Sequence, residues 1–113
     1  MQKMLAFIQK NYPQNITMKT IANSALISER ECFRCFQNIL GITPTLYLRN
    51  YHIRMAARRL LETDLPVQTI CDMVGFHDLS YFGRVFRKTM HCSPSIFRKS
   101  GLQLKRKENE TEE

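Results

Sequence analysis

Apolar residues recur at helical spacing along almost the whole chain, and no stretch shows the strict alternation of a half-buried strand. Met1, Met4, Leu5 and Ile8 follow one another at intervals of 3, 1 and 3, which predicts an amphipathic first helix of about three turns. Asn11 to Asn15, with Pro13 among them, stops it. Thr17 opens a short second helix carrying Ile21, Ala22 and Ala25. Ser28-Glu29-Arg30-Glu31 has the form of a capping box and starts a third helix, with Cys32, Cys35, Phe36 and Ile39 on its inner side.

Gly41 suits the left-handed position that ends a helix, and Thr43-Pro44 supplies the N-cap and first residue of the next. That fourth helix runs to about Glu62 and is the longest expected, with Leu46, Ile53, Ala56, Ala57, Leu60 and Leu61 among its apolar positions. A turn over Thr63 to Pro66 leads to a short fifth helix, Val67 to Val74, ended by Gly75. Asp78 caps a sixth, whose inner side holds Phe82, Val85, Phe86 and Thr89. Ser93-Pro94 repeats the cap-and-proline start for a brief last helix reaching Arg98. The pattern is all-α, with seven helices. Residues 99–113 carry too few apolar side chains to build a core and are expected to form a disordered, charged tail.

The chain contains itself once. A shift of 50 pairs Ser28 with Asp78, Arg34 with Arg84, Phe36 with Phe86, Thr43 with Ser93 and Pro44 with Pro94. Upstream the shift is 49, pairing Ile21-Ala22 with Ile70-Cys71, so the second turn is one residue longer. Each copy is a short helix, a tight turn and a longer helix, which is the helix-turn-helix plan for presenting the second helix to a DNA major groove. The side opposite the core holds Arg30, Phe33, Arg34 and Gln37 in the first copy. In the second it holds Ser80, Gly83, Arg84 and Arg87, with Leu79 and Lys88 at the margins.

Arg34 and Arg84 occupy matching points, where a guanidinium can grip guanine O6 and N7 bidentately, and Arg30 lies one turn before Arg34 on the same side. Arg87 and Lys88 suit phosphates, which position a protein without reading sequence. Phe33 on a polar side has two explanations: stacking on thymine methyls, or cover by a neighbouring loop. Gly83 inside a helix costs about 1 kcal/mol relative to alanine and is either tolerated or there for close approach to DNA. Glu31 is assigned to the capping box.

Charge strengthens the polyanion reading. The whole chain is +7, yet residues 1–100 hold 14 basic and 6 acidic residues, or +8, because the last 13 carry four glutamates against three cations. Cys32 and Cys35 form one C-x-x-C, but Cys71 and Cys92 are isolated, so the two close pairs of a zinc ribbon are missing and core thiols are expected, with no metal or cofactor. His52, His77 and His91 are scattered, and no nucleophile, paired carboxylates or glycine-rich phosphate loop accompanies them. An enzyme is not expected. No apolar run approaches the roughly 20 residues of a membrane span, and no signal-peptide pattern opens the chain, which makes a cytoplasmic location the expectation.

The run Asp64-Leu65-Pro66-Val67, Ile70-Cys71, Val74-Gly75-Phe76, Ser80-Tyr81-Phe82, Arg84 to Lys88 and Ser93-Pro94 closely resembles the AraC/XylS signature. Ile21-Ala22, Ser28, Arg34-Cys35-Phe36, Gly41 and Pro44 to Leu48 resemble its weaker N-terminal part. The resemblance spans residues 1–98. It implies two helix-turn-helix subdomains, about 1–43 and 63–98, joined by a linker helix over 44–62, with recognition helices entering successive major grooves of double-stranded DNA. It implies a bacterial transcription regulator, often an activator that also touches RNA polymerase. Base-contacting positions would fall on Arg30, Phe33, Arg34, Leu79, Ser80, Gly83 and Arg84. Gln37, Arg87 and Lys88 would flank them.

Three departures stand out: Leu26 where the first turn often has glycine, His91 at a usual C′ glycine, and His52 where the linker helix usually has arginine. A chain of 113 residues leaves no room for an effector pocket, so of a free-standing short regulator and an excised C-terminal domain the second is expected, monomeric as this segment and part of a longer regulator that can dimerise through another domain. Two rivals predict otherwise. A protein-interaction module would have lost the cations from its outer faces, which hold Arg30, Arg34, Arg84 and Arg87. A repair-protein fragment would need an activated cysteine, so only its DNA-binding half agrees with these residues.

Overall fold

The computed structural model describes residues 1–111, with side chains through Leu102. Seven helices follow in order: α1 Gln2–Asn11, α2 Met18–Ser24, α3 Glu29–Leu40, α4 Pro44–Glu62, α5 Val67–Met73, α6 Leu79–Met90 and α7 Pro94–Thr111. No strand occurs among the described residues. The chain divides into two compact units, Met1–His52 and a second from Ile53 onward, and the boundary falls within α4.

Local signals start each helix. At α2 the Thr17 hydroxyl accepts from the Thr20 amide at 3.3 Å and the Thr17 amide donates to the Thr20 hydroxyl at 3.0 Å, a complete capping box. Ser28 Oγ accepts from the Glu31 amide at 3.1 Å, and Asp78 Oδ1 from the Tyr81 amide at 3.0 Å. Thr43 and Ser93 do the same for Leu46 and Ile96, at 3.1 and 3.2 Å. The capping box expected at Ser28 is only half formed: the hydroxyl bond is present, but the Glu31 carboxylate does not return to the Ser28 amide.

The first unit closes over Met4, Ile8, Ile21, Ala22, Cys32 and Phe36, all buried, with Tyr47 and Tyr51 of α4 packed against them. Phe36 meets Tyr47 edge-on at 5.6 Å between ring centroids, and Tyr12 meets Tyr51 at 5.3 Å. This core ends at Phe36. Ile39, expected inside, lies in the last turn of α3 beyond the cluster and is 61% exposed, while Cys35 is half-buried. His52 Nε2 donates to the Tyr12 carbonyl at 2.8 Å, tying α4 to the end of α1. Burial pushes the His52 pKa below the usual imidazole value, and the hydrogen bond to Tyr12 opposes this only in part.

The second unit buries Ile53, Ala56, Ala57, Leu60, Ile70, Cys71, Val74, Phe82, Val85 and Phe86. Phe76, Phe82, Phe86 and Phe97 form a chain of ring contacts at 5.1, 5.7 and 5.5 Å that connects the turn before α6 with α7. Fully burying a side chain such as Phe82 or Phe86 stabilises the fold by about 1.5–3 kcal/mol. Arg98 Nε donates to the Leu60 carbonyl at 3.0 Å, and another guanidinium nitrogen donates to that of Thr63 at 3.2 Å, satisfying acceptors that the end of α4 leaves open.

The last helix is longer than its sequence pattern predicts. Instead of stopping at Arg98 it continues to Thr111, and of the expected tail residues 112–113 lie outside the described residues. Gly101 lies within this continuation, at the point where α7 passes against Leu61 of α4, and a Cβ there would collide with that side chain.

Candidate nucleic-acid interface

Each turn before the longer helix of a copy closes in the same way. In the first, the Ile27 amide reaches the Ala22 carbonyl at 3.2 Å and the Leu26 amide that of Asn23 at 3.1 Å. In the second, the Phe76 amide reaches Cys71 at 3.0 Å and the Gly75 amide reaches Asp72 at 3.2 Å, so every partner is displaced by 49. These are Schellman pairs, and they require a left-handed residue between them. Gly75 takes that position at φ +98° and Leu26 at +57°. The additional residue of the second turn is His77, at φ +63°, bridged by a bond from the Asp78 amide to the Phe76 carbonyl at 2.8 Å.

The longer helices also end alike. Gly41 at φ +72° donates to the Gln37 carbonyl at 3.0 Å, and His91 at +68° donates to that of Arg87 at 2.8 Å. Histidine accepts the left-handed region better than most side chains, and here it does so in glycine's place. Between matched starts and matched ends, α3 and α6 are each 12 residues long.

With Cys32 and Phe36 turned inward, α3 leaves Arg30, Phe33, Arg34 and Gln37 exposed, Phe33 by 42%. Glu31 is exposed as well, and with Arg34, Cys35, Asn38 and Ile39 it borders one shallow pocket. With Phe82, Val85 and Phe86 inward, α6 exposes Leu79, Ser80, Arg84, Arg87 and Lys88, while Gly83 is half-buried. Leu79, Ser80, Gly83, Arg84 and Arg87, with Ser93 and Pro94 at the start of α7, line an open groove. Lys88 lies outside it.

Among the described residues, no ion pair engages Arg30, Arg34, Arg84, Arg87 or Lys88; the surface pair that forms is Arg58 with Glu62 at 3.0 Å, on α4. Unneutralised cations on one helical side leave a positive field for a polyanion. Nor does the protein's own packing demand glycine at 83, where an added Cβ meets nothing within 4 Å. Tyr81 escapes a reading based on cations and groove-facing positions alone. Its ring is 41% exposed, and the Arg84 guanidinium carbon lies 6.0 Å from the ring centroid. The visible signal is an aromatic residue one turn before an outward arginine.

Cys32 and Cys71 are free and buried, and burial raises both thiol pKa values, as core cysteines require. No group of three or more potential metal ligands gathers among the described residues. No described helix is long and apolar enough to cross a membrane.

Comparison with known proteins agrees with this geometry. Residues 21–100 match a family described as a helix-turn-helix domain. The chain is 37% identical over 96 residues to the transcriptional activator NphR of Rhodococcus sp, covering 85% of this chain and 28% of that protein. The C-terminal domain of AraT, a response regulator from Geobacillus stearothermophilus, superposes with a TM-score of 0.81 at 30% identity, over 88% of this chain and 83% of that one. An AraC-type DNA-binding-domain protein from Chromobacterium violaceum superposes at 0.87 and 22% identity, over 90% and 91%, and so shares the fold. The chain spans about a third of the length of the curated relatives it matches. Doubled caps, doubled Schellman turns and a matched family profile lead to one assignment: the chain belongs to the AraC/XylS family of helix-turn-helix proteins.

Proposed function

We propose that this chain binds double-stranded DNA sequence-specifically and regulates transcription, with α3 and α6 each presenting its outer side to a major groove. The observation that carries the reading is the pair of equivalent helices whose outer arginines lack any described carboxylate partner. Arg30, Phe33 and Arg34, then Leu79, Ser80, Gly83 and Arg84, face base edges. Gln37, Arg87 and Lys88 meet phosphates or flank the readout. Similarity to a protein named as a transcriptional activator favours activation, with RNA polymerase as second partner. The action is cytoplasmic and non-catalytic, and this segment acts as a monomer.

Selection from random duplexes, followed by binding titrations, tests it. One sequence family should emerge, with two protected regions about one helical turn, roughly 10 base pairs, apart. Arg84→Ala should relax preference at one base step and cost about 1–3 kcal/mol on the selected site. Arg87→Ala should weaken all duplexes alike and reduce the slope of log affinity against log salt by about one. A pool that returns no sequence family sinks the reading. Identical behaviour of the two variants at every ionic strength sinks the division of roles.

A further inference from the structure

The two matching arginines stand in different company. Three residues before Arg34 is Glu31, and three before Arg84 is Tyr81. No ion pair joins Glu31 to Arg34, whereas the Arg84 guanidinium lies 6.0 Å from the centre of the Tyr81 ring, within the range of a cation–π contact. Tyr81 is itself held in place. Its amide donates to the Asp78 carboxylate at 3.0 Å, and its ring packs on Phe76 at 5.8 Å. Phe76 in turn meets the fully buried Phe82 edge-on at 5.1 Å. A continuous path of packed rings therefore runs from the core of the second unit to the base of an outward cation.

We propose that Tyr81 is a positioning residue for DNA readout: its ring is a platform that restricts the Arg84 guanidinium before DNA arrives and so sharpens discrimination at the base step Arg84 reads. An arginine side chain ordered on contact loses rotamer freedom, and a planar partner already limiting that freedom reduces the loss. Arg34, with a carboxylate at the equivalent position and no ring, lacks this device. The inference rests on the DNA-binding reading above and deepens it.

The test uses the full chain and the duplex selected by it, with each base step altered in turn. Tyr81→Leu should reduce discrimination at the Arg84 step by roughly two- to five-fold, the strength of an exposed cation–π contact, and leave other steps unchanged. Tyr81→Phe should retain discrimination, and Tyr81→Leu should have no effect on discrimination in an Arg84→Ala background. In the free protein, the Arg84 CδH2 protons should show an upfield ring-current shift, a measurement that needs no variant to fold. Absence of that shift, an equal loss at all steps, or the same loss without Arg84 overturns the platform. If wild type selects no sequence, or Arg84→Ala relaxes no step, the underlying reading fails and this inference with it. If Arg84→Ala relaxes a step and Tyr81→Leu does not, only this inference fails.

Discussion

Gly83 shows how one residue can separate folding from function. It occupies the interior of α6, where glycine costs about 1 kcal/mol relative to alanine, and no neighbour would obstruct a methyl group. Nothing in the fold repays that cost. In the groove with Ser80, Arg84 and Arg87, however, the missing side chain lets the helix approach a surface closely. Gly83→Ala is therefore expected to stabilise the free protein by about 0.5–1 kcal/mol in urea unfolding while weakening binding to the selected duplex. Gains in both stability and affinity would mean that the glycine serves neither purpose.

At the scale of elements, the two helix-turn-helix copies share their bonding and differ in how their turns are supplied. Gly75 meets the left-handed requirement freely, while Leu26 meets it at a steric cost and is 91% exposed, so its side chain recovers nothing by burial. Leu26→Asn should raise stability by about 1 kcal/mol, since asparagine tolerates the left-handed region, and Leu26→Val should lower it by a similar amount. Denaturation midpoints for the two variants on the same side of wild type would refute this account of the turn. The inserted His77 adds a second left-handed residue to the other turn without disturbing the cap at Asp78.

At the scale of the whole molecule, folding is coupled to pH through His52. Its native pKa lies below the ordinary 6.5, so the unfolded chain binds the proton more readily than the folded one. The stability that depends on neutral His52 is therefore complete above about pH 6.5 and declines as pH falls through that value toward the native pKa. His52→Gln keeps a donor for the Tyr12 carbonyl and removes the titration. Melting temperatures of wild type should fall more steeply than those of the variant between about pH 6.5 and 5. Parallel profiles would show that His52 is not the coupled group.

Much of this protein is written in short-range chemistry. Caps at Ser28, Thr43, Asp78 and Ser93 bond amides three residues on, and the stops at Gly41, Gly75 and His91 involve carbonyls three to five residues back. Amphipathic spacing likewise orients α3 and α6, which is why the outer arginines, the seven helices and the internal repeat were legible from residue order. Ile39 and Gly101 were not, because periodicity locates a side of a helix but not where its partner ends or how closely another helix passes. Nor could the roles of His52 and Arg98 be read, since their acceptors lie 40, 38 and 35 residues away. Sequence alone determined the helices and their outward chemistry, since neighbours along the chain enforce both. Tertiary structure alone decided which ends are tied and which apolar side chains stay wet, because these depend on what folding brings near.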